Sequence, residues 1–231
     1  MNSTKRMARI AGVLYLVNGV TGFFSIIYVP SKVIVPGNAG ATAGNIIASE
    51  RLFRLGIASE VICAVEFVYL LWVLYRLLSG ASKTHASLMV IFGLAFVPIM
   101  CMNAVSDIAA LTLLRGADFL SVFDQPQRES LAMLFLGLRG YGYDVGWIFG
   151  LWLFHFGVCV WKSRFLPRFL GVLLIAACFG YRAVSLTPLL LPSYANLMGR
   201  IANIPLTLGE PAIILWFLIR GAEDQPLEAS A

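Results

Sequence analysis

"LAMLFLGLRGYGYDVGWIFGLWLFHFGVCVW", residues 131–161, is an apolar run that nevertheless holds Arg139, Asp144 and His155. About 20 apolar residues suffice to cross roughly 30 Å of hydrocarbon, so the stretch reads as a membrane span with ionisable groups inside it. The rest of the chain agrees. Hydrophobic residues make up 59% of the 231 residues and charged residues 13%, against roughly 45–50% and 25% in soluble domains. That leaves too little polar surface to coat a soluble globule.

Working outward, six spans are predicted, over 10–28, 52–78, 86–114, 131–161, 169–190 and 201–219. The alternation that marks a membrane barrel is absent. The expected fold is therefore all-α, a polytopic transmembrane bundle of one domain over 1–221 with a polar, disordered tail over 222–231. With the N-terminus inside, Lys5, Arg6, Arg9, Arg76, Lys83, Lys162, Arg164, Arg168 and Arg220 fall on the cytoplasmic side. They outnumber Lys32, Arg51, Arg54, Arg115, Arg128 and Arg200 on the other. Positive charge marks the cytoplasm, so both termini are expected there. The net charge of +5 then reflects topology. No basic run is interleaved with aromatics, so no nucleic acid is expected as a partner; the lipid bilayer is.

The opening "KRMARIAGVLYL", residues 5–16, imitates a secretory signal, but its apolar part is too long and no small-x-small site precedes Pro30. It reads as an uncleaved first span. Cys63, Cys101, Cys159 and Cys178 each fall inside a span without a C-x-x-C pair, which predicts reduced packing residues. In the first long loop Thr42 is the expected cap of a short surface helix, and Ser121 and Asp124 are candidate caps in the third.

The informative residues are ionisable ones within spans: Glu60, Glu66, Asp107, Arg139, Asp144, Arg182 and Glu210. Each charge at mid-bilayer costs roughly 2.5–3.5 kcal/mol, so unpaired they would cost about 15–25 kcal/mol together. They must pair, hold protons or meet water. Glu60, Asp107, Arg139, Asp144, Arg182 and Glu210 are expected at a similar level, from mid-membrane to the outer boundary, forming one outward-facing pocket. Asn103 stands one turn from Asp107, and Asn203, Thr207 and Glu210 form a stripe. Two arginines cannot neutralise four acids, so one or two carboxyls must hold a proton or find another cation. Glu60, Asn103, Asp107, Arg139, Asp144, Arg182, Thr207 and Glu210 are the candidate binding residues.

Gly142, Gly146 and Gly150 share one helical face with Arg139 and predict a close helix contact. Asp144 lies nearly opposite, so Arg139 and Asp144 should pair with different neighbours. In "NIPLTLGEPAIILW", residues 203–216, Pro211 removes the donor to the Thr207 carbonyl beside Glu210. Freed carbonyls of this kind serve cations in broken-helix transporters, whereas a kink satisfied by Thr207 and a water is the alternative.

No H-E-x-x-H, P-loop or G-x-S-x-G occurs. His155 is the one histidine expected inside a span, which leaves no two-histidine haem or zinc site; no cofactor or metal is expected. "YGYDVG" carries the Tyr-Asp pair of presenilin-like proteases without their Gly-x-Gly-Asp partner. The leading expectation is a protein that binds, senses or transports a small molecule, cation or proton. A structural accessory subunit stands second and an intramembrane enzyme third.

The segments "RIAGVLYL" (9–16), "SKVIVPGNAGATAGNIIASERLFRLGI" (31–57), "RGADFL" (115–120), "FLPRFLGVLL" (165–174) and "LLLP" (189–192) resemble the bacterial membrane family known as domain of unknown function 4386. The resemblance implies a multi-helix protein of the bacterial inner membrane, with an acidic residue at the place of Glu60. Glu66, Arg139 and Asp144 depart from that pattern.

Overall fold

The computed structural model describes residues 3–146 and 150–222, with backbone alone for 3, 143–146, 203 and 204. Among the described residues the regular structure is helical throughout. Helix α1 (Ser3–Gly22) passes through a π-helical turn, Phe23–Tyr28, into α2 (Val29–Val33). Then follow α3 (Ala39–Ala48), α4 (Glu50–Leu78), α5 (Lys83–Arg115), α6 (Gln125–Gly146), α7 (Leu151–Lys162), α8 (Arg168–Leu190) and α9 (Ala195–Ile219).

Among the described residues five helical stretches are long and apolar enough to cross a membrane: Thr4–Val33, Glu50–Leu78, Lys83–Arg115, Arg168–Leu190 and Pro192–Ile219. The protein is a multi-pass membrane protein. These stretches contain the expected first, second, third, fifth and sixth spans. The expected fourth, 131–161, is not one described helix. It is divided between α6 and α7, with Gly150 at the N-cap of α7. At 1.5 Å per residue α7 is only about 18 Å long. Residues 147–149 lie outside the described residues.

The chain forms two compact units, Met1–Val17 with Glu66–Phe96 and Asp144–Ala231, and Asn18–Val65 with Val97–Tyr143. In the first, α7 packs on α8 and α8 on α9. Glycines permit the approach. A Cβ on Gly157 would stand 2.7 Å from the Gly171 carbonyl, and one on Gly209 would stand 2.7 Å from the Ala177 Cβ. An aromatic cluster fills the interior: Trp152 meets Phe67 edge-on at 5.1 Å, and Phe156 lies 6.4 Å from Tyr15 and 6.5 Å from Phe217.

In the second unit Val29, Ile46, Phe53, Leu111, Leu120 and Leu136 share one core. The cap of α3 is Asn38, whose Oδ1 accepts from Ala41 N at 2.9 Å. Thr42, expected as the cap, lies buried within α3, and its hydroxyl bonds both the amide and the carbonyl of Val35. Asp124 caps α6 as expected. Its carboxylate accepts from Gln127 N at 2.8 Å, while Gln127 Oε1 accepts from Asp124 N at 3.0 Å, a reciprocal capping box.

Gly157→Ala should destabilise the first unit by about 1–3 kcal/mol, because the added methyl meets backbone that cannot yield. Gly19→Ala, with nothing within 4 Å of the new Cβ, should leave the protein as stable or slightly more so. Thermal melting of the detergent-solubilised protein compares the two.

Candidate functional site

Three helices of the second unit each contribute one charged side chain to a buried cluster. Glu60 comes from α4, Asp107 from α5 and Arg139 from α6, with 1%, 4% and 7% of their surface exposed. Arg139 Nη2 lies 3.3 Å from Glu60 Oε2, and Nε lies 3.1 Å from Asp107 Oδ2. The second contact is an ion pair by distance rather than an aligned hydrogen bond. Nη2 also donates to the Ser25 carbonyl at 2.7 Å. One guanidinium thus ties α4, α5 and α6 to the π-helical turn.

The Ser25 carbonyl is free to accept for a local reason. In the π turn the Val29 amide, its ordinary i+4 donor, bonds Phe24 instead. The next residue, Pro30, has no N–H to offer. π turns often mark functional places in helices; here the turn directs a backbone acceptor toward a buried cation.

Asn103 is buried one turn before Asp107 on α5. Its side-chain oxygen presses on Gly142 of α6, where any Cβ would collide with it. Gly142 therefore makes room for a polar side chain. Asn103 Nδ2 and Asp107 Oδ1 are both buried, and neither has a hydrogen-bond partner among the described residues. Among the described residues two carboxylates share one guanidinium, beside an amide donor without a described partner. The cluster has the capacity to take up a proton or a small cationic or polar group.

A different carboxylate occupies the first unit. Glu210 on α9 accepts from Tyr15 of α1 at 2.5 Å and from Tyr181 of α8 at 2.7 Å, one hydroxyl to each oxygen. Arg182 follows Tyr181 on α8. Thr207 is exposed on α9, and that helix continues through Pro205 and Pro211. Glu66, half-buried on α4, has one carboxylate oxygen without a partner among the described residues.

Four of the candidates, Glu60, Asn103, Asp107 and Arg139, thus come together, while Arg182, Thr207 and Glu210 belong to the other unit. The side chains of Asp144 and Asn203 lie outside those described. In the glycine stripe, Gly142 meets Asn103, Gly146 ends α6, and Gly150 opens α7, so the three do not share one continuous described helix.

Sequence reasoning missed Ser25, Tyr15, Tyr181 and His85. The expectation that His155 lacks a second imidazole is corrected. His85, on the first turn of α5, places its Nδ1 3.0 Å from His155 Nδ1, with Phe92 stacked on the His155 ring at 5.5 Å. No third His, Cys, Asp or Glu joins them in a metal-holding group among the described residues.

Arg139→Gln should destabilise the protein by about 3–5 kcal/mol, since it leaves two buried carboxylates without their cation. Adding Glu60→Gln and Asp107→Asn to it should recover most of that loss. Arg139→Lys should not rescue, because an ammonium lacks the planar fork that serves Glu60, Asp107 and Ser25 together. Thermal melting of the purified variants decides.

A family model described as a domain of unknown function (DUF4386) matches residues 10–221. No curated protein and no solved structure matches the chain. The matched range contains every candidate residue, from Glu60 to Glu210. The chain belongs to the family of domain of unknown function 4386.

Proposed function

We propose that the protein binds and handles a proton, a small cation or a small polar molecule within the membrane, at the Glu60–Arg139–Asp107 cluster. The observation that carries this reading is the buried Asp107 Oδ1 and the buried Asn103 amide, both without a hydrogen-bond partner among the described residues, in a cluster where two carboxylates share one guanidinium. A packed structural staple needs one carboxylate per guanidinium. A second one, with a buried oxygen left over, is costly unless something visits it.

The accompanying topology is six crossings of the bacterial inner membrane with both termini in the cytoplasm, α6 and α7 together making the fourth. Glu60 is then about 15 Å from the start of α4 and Asp107 about 12 Å from the end of α5, at 1.5 Å per residue. Both would lie near mid-membrane on the outer side. Glu210 between its two tyrosines is a second ionisable station, suited to passing or holding a proton.

A structural role is the second reading, favoured by the Arg139 contact to the Ser25 carbonyl, which joins a fourth segment to the cluster. The two readings diverge at Asp107→Asn. If the excess charge is a binding device, this exchange leaves a matched Glu60–Arg139 pair, so the variant melts at or above the wild-type temperature. Proton or cation entry into proteoliposomes, driven by an imposed gradient, should meanwhile fall more than tenfold. A staple predicts the reverse: Asp107→Asn melts lower, and entry is the same for variant and wild type.

A further inference from the structure

A groove of about 690 Å³ runs between the first turns of α4 and the last turns of α5. Its floor and walls are apolar, from Ile57, Ala58, Ile108 and Leu111, and two arginines, Arg54 and Arg115, stand at one end. The apolar wall continues past the groove. On α5, Ile108, Val105 and Met102 are 50%, 53% and 61% exposed and follow one another at helical spacing; on α4, Ile62 is 51% exposed one turn after Ala58. From Arg115 back to Met102 this wall is about 20 Å long, more than the roughly 15 Å of hydrocarbon in one leaflet.

Both arginines rest on the same carboxylate. Arg54 Nε lies 2.7 Å from Glu50 Oε1 and Arg115 Nε lies 3.5 Å from Glu50 Oε2. Both Glu50 oxygens are engaged, and the trio carries one positive charge in excess. Each guanidinium is engaged through Nε. The terminal nitrogens, whose fork matches a phosphate, have no partner among the described residues.

We propose that this groove seats an anionic phospholipid, its phosphodiester on Arg54 and Arg115 and one acyl chain along the α4–α5 wall. The charge excess at the mouth selects a headgroup without an ammonium. A zwitterionic lipid would bring a second cation to a cluster whose one carboxylate is already shared. The length and exposure of the apolar wall fit a chain that follows the helices to the middle of the bilayer.

The test is native mass spectrometry of the protein in micelles holding equal amounts of phosphatidylglycerol and phosphatidylethanolamine. Wild type should retain phosphatidylglycerol about fivefold over phosphatidylethanolamine, the change expected of one unmatched basic residue at a membrane surface. Arg54→Gln with Arg115→Gln should erase the preference, and Glu50→Gln should increase it. Ala58→Trp, which fills the groove and leaves the charges, should lower retention of both lipids. Unchanged melting temperatures confirm that each variant is folded, and the Ala58 and Glu50 variants keep the test open if the double arginine variant is not. Equal retention of the two lipids by wild type would overturn the proposal. So would a preference that survives the arginine exchange, or displacement of the lipid by inorganic phosphate alone.

Discussion

Arg139 is buried, with 7% of its surface exposed, and three segments of the chain are arranged to meet its guanidinium. A charge buried this far needs partners, and Glu60, Asp107 and the Ser25 carbonyl constrain α4, α5 and the π turn at once. Helix association in lipid lacks the hydrophobic driving force that packs soluble bundles. Polar contacts of this kind therefore decide which helical faces turn inward. Glu60, Asp107 and Asn103 being buried, while Ile62, Val105 and Ile108 are half exposed or more, is the rotation that Arg139 imposes.

Backbone irregularity accompanies this cluster on two sides. The π turn and Pro30 together free one carbonyl on the first helix, and Gly142 leaves a hollow on α6 into which Asn103 fits. Neither is explained by membrane crossing alone, since an unbroken α-helix satisfies its own backbone and spans without difficulty. The local departures exist where a polar side chain needs an acceptor or a space. In the first unit the glycines have the opposite use. Gly157, Gly171 and Gly209 admit backbone and apolar side-chain atoms rather than polar side chains.

Much of this was legible in sequence because hydrocarbon is a severe judge of composition. The spans around Glu60, Asp107 and Glu210 were readable from length and hydropathy, and the ionisable residues stood out against them. What sequence does not contain is helix rotation. Glu60, Asp107 and Arg139 could be named as needing partners, but the division of Glu210 from them could not be read. The tyrosines were invisible for a related reason. Tyr15 and Tyr181 each pass for ordinary apolar-face residues until the hydroxyl is seen on Glu210. His85 was hidden by its place at the first turn of α5, where it read as loop. Pro30, five residues after Ser25, was the one available sign of the freed carbonyl.

The two carboxylate centres differ in the chemistry their partners permit. A guanidinium has donors only and stays charged, so the Arg139 cluster always presents a cation to its two carboxylates. A phenol both donates and accepts. Glu210 as a carboxylate takes a hydrogen bond from each tyrosine, and as a carboxylic acid it can donate to one while the other still donates to it. No side chain has to leave for that exchange. A centre of the first kind keeps a fixed cation. A centre of the second kind is built to tolerate both states of a single proton.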